Sequence, residues 1–338
     1  MSLVVDSISK RFGEVVALDG VSFSAEPGRI FGLLGANGAG KTTMMRIVLD
    51  ILRADSGTVT WQGRANTEVP RRTWGYLPEE RGLYLQMTVM EVLRFFAALY
   101  AVPGRQATAE VEDWLERFRI PDYRDRKVQE LSKGNQQKIQ FIAAILHDPD
   151  VLIMDEPFSG LDPVNVQLLK EAFLEMRGRG KALIFSTHQM ETVEELCESI
   201  VIIDQGRVVV AGHVRDVKRA MGRQVVRLAA DGAQGADGLA WVEQLPGVTL
   251  TRRGEDYLEL HVLTGTDPAS LLQAALERGE RVTRFEITDP SLEEVFIEHV
   301  GRPAEVADER HLAPGQTRDA AAGGSPDSSP DSLSAGSS

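Results

Sequence analysis

The chain is poor in cysteine, in long apolar runs and in positive charge. Its single cysteine, Cys197, excludes an internal disulfide framework, and the helical pattern around it predicts a packing role. No run of about eighteen apolar residues occurs, so no segment is expected to span a membrane by itself. The first residues lack a basic region followed by an apolar one, which predicts no secretory signal. We therefore expect a cytoplasmic protein.

The balance of charge is acidic. The 338 residues include 50 acidic and 37 basic ones, which gives a formal net charge of −13. Because such a chain is repelled by nucleic-acid phosphates and anionic lipids, we expect no nucleic-acid partner and no wide contact with anionic lipid. The apolar fraction of 43% is enough for full cores in two or three domains.

One segment, Gly35 to Thr43, fits the phosphate-binding pattern of glycine, four residues and Gly-Lys-Thr. An apolar strand pattern precedes it and a helical pattern follows, which is the context that the motif requires. Its glycines tolerate positive φ and leave room for a phosphate, and the helix N-terminus favours an anion. A glycine-rich turn with a chance lysine is the alternative. The candidate nucleotide-binding residues here are Gly35, Asn37, Gly38, Gly40, Lys41, Thr42 and Thr43.

Within this loop two side chains have distinct predicted roles. We expect Lys41 to contact the β- and γ-phosphates of a nucleotide, because it adds a full positive charge. The Thr42 hydroxyl is predicted to bind Mg²⁺.

Two acids follow a continuous apolar run that begins at Val151. Such a run predicts a buried parallel strand whose carboxyl end lies at the site. We expect Asp155 to hold Mg²⁺ through water, and Glu156 to orient or deprotonate the water that attacks the γ-phosphate. The alternative is a solvated loop. His188 follows a second buried strand and is a candidate for a γ-phosphate contact, although a lone histidine is more often structural.

Helical patterns interrupt the strands between about residues 87 and 146. Thr88 and Glu91 form a predicted capping box at the first helix. Ser132 is a predicted N-cap of the third helix, and with Gly134 it forms a candidate anion site. From this segment alone, an ordinary capped helix is the favoured explanation.

A single aromatic residue, Phe12, lies beside Gly13 in a predicted turn between two half-buried strands. It suits stacking on an adenine ring or packing in a minor core, and the segment alone supports both.

In their order along the chain, these motifs resemble those of the nucleotide-binding subunits of ATP-binding-cassette (ABC) transporters. The resemblance covers about residues 3–216 and implies an α/β fold, a P-loop NTPase cassette with a mixed sheet and a helical insert. The matching segments are Gly35–Thr42 (Walker A loop), Leu131–Gln136 (signature motif), Val151–Glu156 (Walker B strand), Ser159–Asp162 (D-loop), His188 (switch histidine) and Phe12 (the aromatic that stacks on adenine).

The resemblance also implies a mechanism. Two subunits meet head to tail and bury two ATP molecules, each between one subunit's Walker A loop and the other's Ser132, with Gly134 and Asp162 as further contacts. ATP binding closes the pair and hydrolysis reopens it, which drives transmembrane permease subunits between two states. We expect a homodimer, because one chain carries every element of the site. We expect it to lie peripherally on the inner face of the cell membrane.

Two positions depart from the family pattern. The signature is Leu-Ser-Lys-Gly-Asn, in which Lys133 replaces a glycine, and Glu79 stands where the family usually has glutamine. We expect the Glu79 carboxylate to reach Mg²⁺ or the attacking water, to bind metal more strongly than an amide and to titrate at lower pH. Both variations resemble a bacterial exporter branch associated with drug, antibiotic or sodium efflux.

A second unit follows the cassette, so that the predicted domains are 1–220, 221–300 and a disordered tail, 301–338. The middle unit shows a β-α-β-β-α-β order, typical of a small ferredoxin-like α+β domain. It ends in a helix at Ser291–Ile297, which that exporter branch also carries. Two roles remain open for this unit: a module that supports dimerisation or regulates activity, and a passive stabilising appendage. The tail is too poor in large apolar residues to offset ordering entropy.

The favoured function is an ATPase subunit that powers a membrane exporter. The main alternative is a soluble ABC ATPase in translation or DNA repair, but the chain has one Walker A loop and no sustained heptads. A small-molecule kinase would give no reason for the signature helix or for His188. The sequence does not indicate the transported substrate, because the membrane partner selects it.

Overall fold

The computed structural model describes residues 2–80, 82–231, 235–254 and 256–301. The strands are β1 (Leu3–Phe12), β2 (Val15–Ala25), β3 (Ile30–Leu34), β4 (Ser56–Trp61), β5 (Arg64–Ala65), β6 (Trp74–Leu77), β7 (Val151–Asp155), β8 (Ala182–Thr187), β9 (Ser199–Asp204), β10 (Arg207–His213), β11 (Arg223–Asp231), β12 (Val248–Arg253), β13 (Leu258–Leu263) and β14 (Arg281–Thr288). The α-helices are α1 (Lys41–Val48), α2 (Val89–Leu99), α3 (Gly104–Arg117), α4 (Lys133–Ile145), α5 (Pro163–Gly178), α6 (Met190–Leu196), α7 (Val214–Arg219), α8 (Ala269–Glu277) and α9 (Leu292–Val300). The 3-10 helices are Asn66–Glu68, Arg71–Thr73, Pro121–Tyr123, Val128–Glu130 and Gly235–Gln244.

Two predictions concern membranes and the tail. Among the described residues, no helix has the length and apolar character needed to cross a bilayer. Apart from Gly301, the tail for which we predicted disorder lies outside the described residues.

A six-stranded sheet in the order β10-β9-β3-β8-β7-β6 forms the centre of the cassette. Its strands are parallel except for β10, which pairs antiparallel with β9. Strands β3, β7 and β8 are buried along their whole length, as continuous apolar runs predict. Because these three strands are parallel, their carboxyl ends meet at one edge, where open α/β sheets bind ligands. The predicted cassette fold with a mixed sheet is confirmed.

A second, antiparallel sheet, in the order β2-β1-β4-β5, shares a core with α1 and the central sheet. Helices α2, α3 and α4 lie between β6 and β7 in the chain and pack into a second core with the other face of the sheet. The predicted capping box of Thr88 and Glu91 is present, and the Ser132 hydroxyl accepts a hydrogen bond from the Asn135 N–H at 3.3 Å. The positive φ of Gly13, +57°, makes the predicted turn beside Phe12.

The C-terminal sheet has the order β12-β13-β11-β14, and all its neighbours are antiparallel. This order is the one that a split β-α-β-β-α-β unit produces, so the ferredoxin-like fold is confirmed. A 3-10 helix takes the place of the first α-helix of that unit. In the core of this C-terminal unit, Val226, Leu228 and Leu260 of the sheet pack with Leu239 of the 3-10 helix and Leu271 of α8.

Helix α9 packs with the cassette, although the sequence pattern places it at the end of the C-terminal unit. Its side chains Leu292, Val295 and Phe296 have 0% exposure and belong to the core that also contains Val193 and Leu196 of α6. The Ser291 capping box begins the helix and Gly301, with a φ of +75°, ends it.

Polar contacts join α9 to the C-terminal sheet at the same time. The Glu294 carboxylate lies 2.7 Å from Nε2 of His261 on β13, and the Arg223 guanidinium of β11 donates to Glu298 at 2.8 Å. Helix α9 therefore contacts both units of the chain.

We predict that Phe296→Ala destabilises the protein by about 3–5 kcal/mol, because it leaves a cavity in the core shared by α6 and α9. The measurement is the urea midpoint of unfolding for the full chain. Ile297→Ala, the adjacent residue, is the control and should cost much less, since Ile297 is 38% exposed. Equal midpoints for the two variants would contradict the packing of α9 on the cassette.

Candidate functional site

The loop after β3 curves around an open space because its glycines adopt left-handed backbone conformations. The φ angles are +151° at Gly35, +77° at Gly38 and +112° at Gly40. A Cβ at Gly35 would lie 2.3 Å from the Ile203 carbonyl oxygen, and one at Gly40 would lie 2.6 Å from that of Ala17. Side chains are therefore excluded at both positions, and the loop leads directly into the N-terminus of α1, where an anion is favoured.

The ammonium group of Lys41 is held inside this loop. Lys41 is 5% exposed, and its Nζ donates to the carbonyl oxygens of Gly35 at 2.7 Å and Ala36 at 3.3 Å. The same nitrogen lies 3.7 Å from Oε1 of Glu156. The loop thus carries a fixed, buried positive charge that faces the acids at the end of β7.

Asp155 ends β7, and its position depends on the neighbouring strand. Asp155 pairs with Ser186 of β8 in the sheet register, and the Ser186 hydroxyl donates to Oδ1 of Asp155. Asp155 is 1% exposed, and its Oδ2 has no hydrogen-bond partner among the described residues. A buried oxygen without a partner is costly, which suits a site that receives a ligand.

Glu156 is fixed by backbone and side-chain contacts. Its φ is +47°, a conformation that costs a non-glycine residue roughly 1–3 kcal/mol. Its N–H donates to Oγ and O of Ser186 at 3.1 and 3.2 Å, and its Oε1 lies 3.1 Å from Nδ1 of His188. Oε2 is buried without a partner in the part of the chain that the structure describes.

Glu79 lies at the rim of the same space, after β6. Partial desolvation raises the pKa of this carboxyl group, and the negative charges of Asp155 and Glu156 raise it further. The expectation that Glu79 titrates at lower pH is therefore wrong, because it did not include the neighbouring acids.

Together these side chains border a cleft of about 330 Å³. Its lining residues are Val15, Val16, Ala17, Ala36, Asn37, Gly38, Gly40, Lys41, Thr42, Thr43, Glu79, Asp155 and Glu156. Two other predicted residues lie next to the lining: His188 contacts Glu156, and Phe12, 50% exposed, pairs with Val15 across the β1–β2 turn. Gly35 is not a lining residue, but its carbonyl oxygen accepts the hydrogen bond from Lys41.

The remaining predicted residues lie together but do not line this cleft. Ser132 is exposed at the start of α4. Gly134 faces α5 so closely that a Cβ there would lie 2.9 Å from Nδ2 of Asn165. Asp162 caps α5 by accepting from the Asn165 N–H at 3.0 Å, and this hydrogen bond lowers the pKa of Asp162.

The donor set of the cleft fits Mg²⁺. Thr42, Glu79 and Asp155 present oxygen atoms, which this cation prefers, and Asp155 has a buried oxygen still available. Among the described residues, no three His, Cys, Asp or Glu side chains come together to hold a metal by themselves. In proteins Mg²⁺ is usually bound by one or two carboxylates together with substrate phosphates and water.

Sequence reasoning missed three polar residues that fix the site. Ser186 holds both acids, Gln137 of α4 donates to the Pro157 carbonyl at 3.1 Å, and Gln140 of α4 donates to the Pro78 carbonyl at 2.8 Å. The position of Ser186, two residues before His188 at the end of a buried strand, was an available signal. The two glutamines gave none, because their partners are distant backbone atoms.

Comparisons with known proteins identify the family of the chain. A family model described as ABC transporter matches residues 18–159, and one described as ATP-binding protein DrrA1-3-like, C-terminal domain, matches residues 212–300. The chain is 44% identical over 300 residues to the uncharacterized ABC transporter ATP-binding protein YhaQ of Bacillus subtilis, which covers 88% of this chain and 98% of that protein.

Further relatives have named functions. The ABC transporter ATP-binding protein NatA of Bacillus subtilis is 36% identical over 64% of this chain and 91% of its own length. The Nod factor export ATP-binding protein I of Burkholderia thailandensis is 33% identical over 87% of this chain and 95% of its own length. A solved structure titled as an ATP binding subunit of an ABC transporter superposes with a TM-score of 0.62 at 32% identity, over 66% of this chain and 94% of its own. The chain therefore belongs to the ATP-binding subunits of ABC transporters, which hydrolyse ATP to power transport.

Proposed function

We propose that this ATPase powers export through the membrane, and that the cleft between the Gly35–Thr43 loop and the acids of β7 is its hydrolytic site. One observation carries the proposal: Lys41, Asp155, Glu156 and His188, which come from three strand ends, meet at one edge of the central sheet. Export is the direction that the exporter resemblance implies, and a relative named for Nod factor export supports it.

In this proposal the loop binds the ATP phosphates. The N-terminus of α1 and the buried charge of Lys41 face the cleft, so the β- and γ-phosphates bind there. Asn37, Gly38 and Thr43 complete the lining of the phosphate site. Phe12 stacks on the adenine ring, because it is exposed and pairs with Val15, a lining residue.

The metal-binding residues in this proposal are Thr42, Asp155 and Glu79. Bound Mg²⁺ supplies positive charge that offsets the charge developing on the phosphates. Asp155 is held in place by Ser186, so only its second oxygen is available toward the cleft. Burial and the negative charges of Asp155 and Glu156 raise the pKa of Glu79, whereas a cation bound beside its carboxylate would lower that pKa again.

Glu156 acts as the general base. His188 lies 3.1 Å from Oε1, and the buried Oε2, which has no partner among the residues that the structure describes, is left to accept a proton from the attacking water. The left-handed backbone and the two bonds to Ser186 hold the carboxylate in position before ATP arrives.

A second copy of the chain completes the site. Ser132, Gly134 and Asp162 lie outside the cleft of their own chain, yet Ser132 is exposed at a helix N-terminus that favours an anion. A head-to-tail homodimer would place them against the ATP of the partner subunit. Residues 1–220 would form this ATPase unit, and residues 221–300 an accessory unit.

Subunits of this family work with transmembrane permeases, and we propose that this chain binds them at the inner face of the cell membrane. An exposed apolar surface, formed by Tyr84, Leu85, Phe95 and Leu99, lies on α2 and the segment before it. Tyr84 and Phe95 pack edge to face at 5.2 Å, which gives the surface a defined shape. An exposed apolar patch of this kind fits a protein partner.

We predict that Glu156→Gln retains ATP binding, loses more than about a hundredfold in turnover and forms a stable dimer with ATP, because the base is lost while the ligand stays. Nucleotide titration, phosphate release and light scattering measure the three effects. Lys41→Ala is the matched control and should lose ATP affinity and, with it, the dimer. Full turnover of Glu156→Gln would refute the assignment of Glu156 as the general base. Unchanged nucleotide binding by Lys41→Ala would refute the assignment of the Gly35–Thr43 loop as the phosphate-binding loop.

We predict that Ser186→Ala lowers turnover about tenfold, because Asp155 loses its fixed donor and Glu156 loses one of its two backbone contacts. Phosphate release measured over a range of Mg²⁺ concentrations tests this, and the variant should need more Mg²⁺ for half-maximal rate. Ser24→Ala, an exposed serine on β2, is the control. Identical Mg²⁺ dependence for wild type and Ser186→Ala would show that Ser186 does not position the acids.

Purification of the tagged full chain from detergent-solubilised cells should recover an integral membrane protein. Leu99→Asp should reduce that recovery at least about tenfold, since a buried charge at an interface is costly. Leu276→Asp, at a similarly exposed leucine of α8, should leave recovery unchanged. Recovery of ribosomes or DNA in place of a membrane protein would favour the translation or repair alternative.

A further inference from the structure

Helix α6 connects the hydrolytic site to the rest of the molecule. It starts at Met190, two residues after His188. The short link is itself bonded, because the Gln189 N–H donates to Oγ1 of Thr187 at 3.0 Å and the Thr192 hydroxyl lies 3.4 Å from the Gln189 side-chain oxygen. Because these hydrogen bonds order the link, we expect a displacement of α6 to displace His188 as well.

One carboxylate on α6 binds two other helices. Oε1 of Glu194 accepts the backbone N–H of Leu292, the first residue of α9, at 2.5 Å. Oε2 of the same side chain accepts from Nζ of Lys218 on α7 at 2.5 Å. Glu194 is half-buried, and hydrogen bonds that involve charged groups are the stronger ones, especially at a helix N-terminus.

The apolar contacts reinforce this junction. Val193 and Leu196, which flank Glu194 on α6, share a core with Leu292 and Val295 of α9. All four side chains are 3% exposed or less. The apolar packing restrains the distance between α6 and α9. The hydrogen bonds of Glu194 restrain the position of α6 along the axis of α9.

We propose that Glu194 is a positioning residue for ATP hydrolysis: by holding α6 against α7 and the start of α9, it keeps His188 in contact with Glu156. This inference rests on the role that the proposed function gives to His188. It also gives the C-terminal unit a route to the site, because α9 contacts that unit through His261 and Arg223.

A purely stabilising contact is the competing explanation for Glu194. Removal of such a contact would lower the unfolding midpoint without changing turnover per folded molecule. Loss of positioning instead lowers kcat, while the KM for ATP stays nearly unchanged because the phosphate loop is not touched. The two explanations therefore differ in a kinetic readout.

The first test compares Glu194→Ala with wild type, using the full chain and ATP with Mg²⁺. We expect kcat to fall about fivefold and KM to change less than about twofold. Glu195→Ala is the matched control, because Glu195 is the next residue of α6 and pairs with Lys170 at the exposed surface of α5. An unchanged kcat in Glu194→Ala, or an equal loss in Glu195→Ala, overturns the proposal.

The second test is a double-variant cycle with His188→Ala. If Glu194 acts through His188, Glu194→Ala should cost less than about twofold when His188 is already absent. A full fivefold loss in both backgrounds overturns the proposal. Where Glu194→Gln replaces an Ala variant that fails to fold, the same dependence on His188 is expected, with a smaller loss, because the amide oxygen still accepts from Leu292.

The cycle also separates the inference from the proposed function. Unchanged turnover in His188→Ala would remove the role of His188 and with it the positioning role of Glu194, whereas the proposed hydrolytic site would still be tested by Glu156→Gln. Impaired turnover in His188→Ala, combined with normal turnover in Glu194→Ala, would overturn the positioning role of Glu194 alone.

Discussion

The register between strands β7 and β8 is the constraint on which the site depends. It places Ser186 beside Asp155, so that one hydroxyl holds Asp155 and also accepts from the N–H of Glu156. His188, two residues after Ser186, then falls within 3.1 Å of Glu156. A shift of the register by one residue would turn Ser186 to the other face of the sheet and separate Ser186 and His188 from Asp155 and Glu156.

The packing around the site offsets the free-energy cost of burying its carboxylates and of straining its backbone. Asp155 and Glu156 each bury a carboxylate oxygen that has no partner among the described residues, and Glu156 also has a left-handed backbone; all of these features oppose folding. The fully buried strands β3, β7 and β8, together with the cores on both faces of the sheet, supply the opposing apolar burial. A rigid scaffold that holds an unfavourable arrangement of charges is well suited to receive a metal-bound phosphate.

Helix α9 gives the two units of the chain a shared element. Its apolar face completes the core beside α6, while Glu294 and Glu298 contact the C-terminal sheet. The C-terminal unit is thus connected to the end of β8 through two helices, α9 and α6. The pattern of Ser291–Ile297 predicted a helix, but its apolar residues carried no information about which core they would join.

Sequence alone determined the elements and the chemistry: glycine spacing specified the phosphate loop, apolar runs ending in acids specified buried strands, and serine caps specified helix starts, because each depends on local backbone physics. Only the tertiary structure decided what depends on distant neighbours. Ser186 gained its role from strand register, burial and the nearby Asp155 and Glu156 raise the pKa of Glu79, and α9 joined the cassette core. Those outcomes arise from contacts between residues far apart in the chain, which local patterns do not encode.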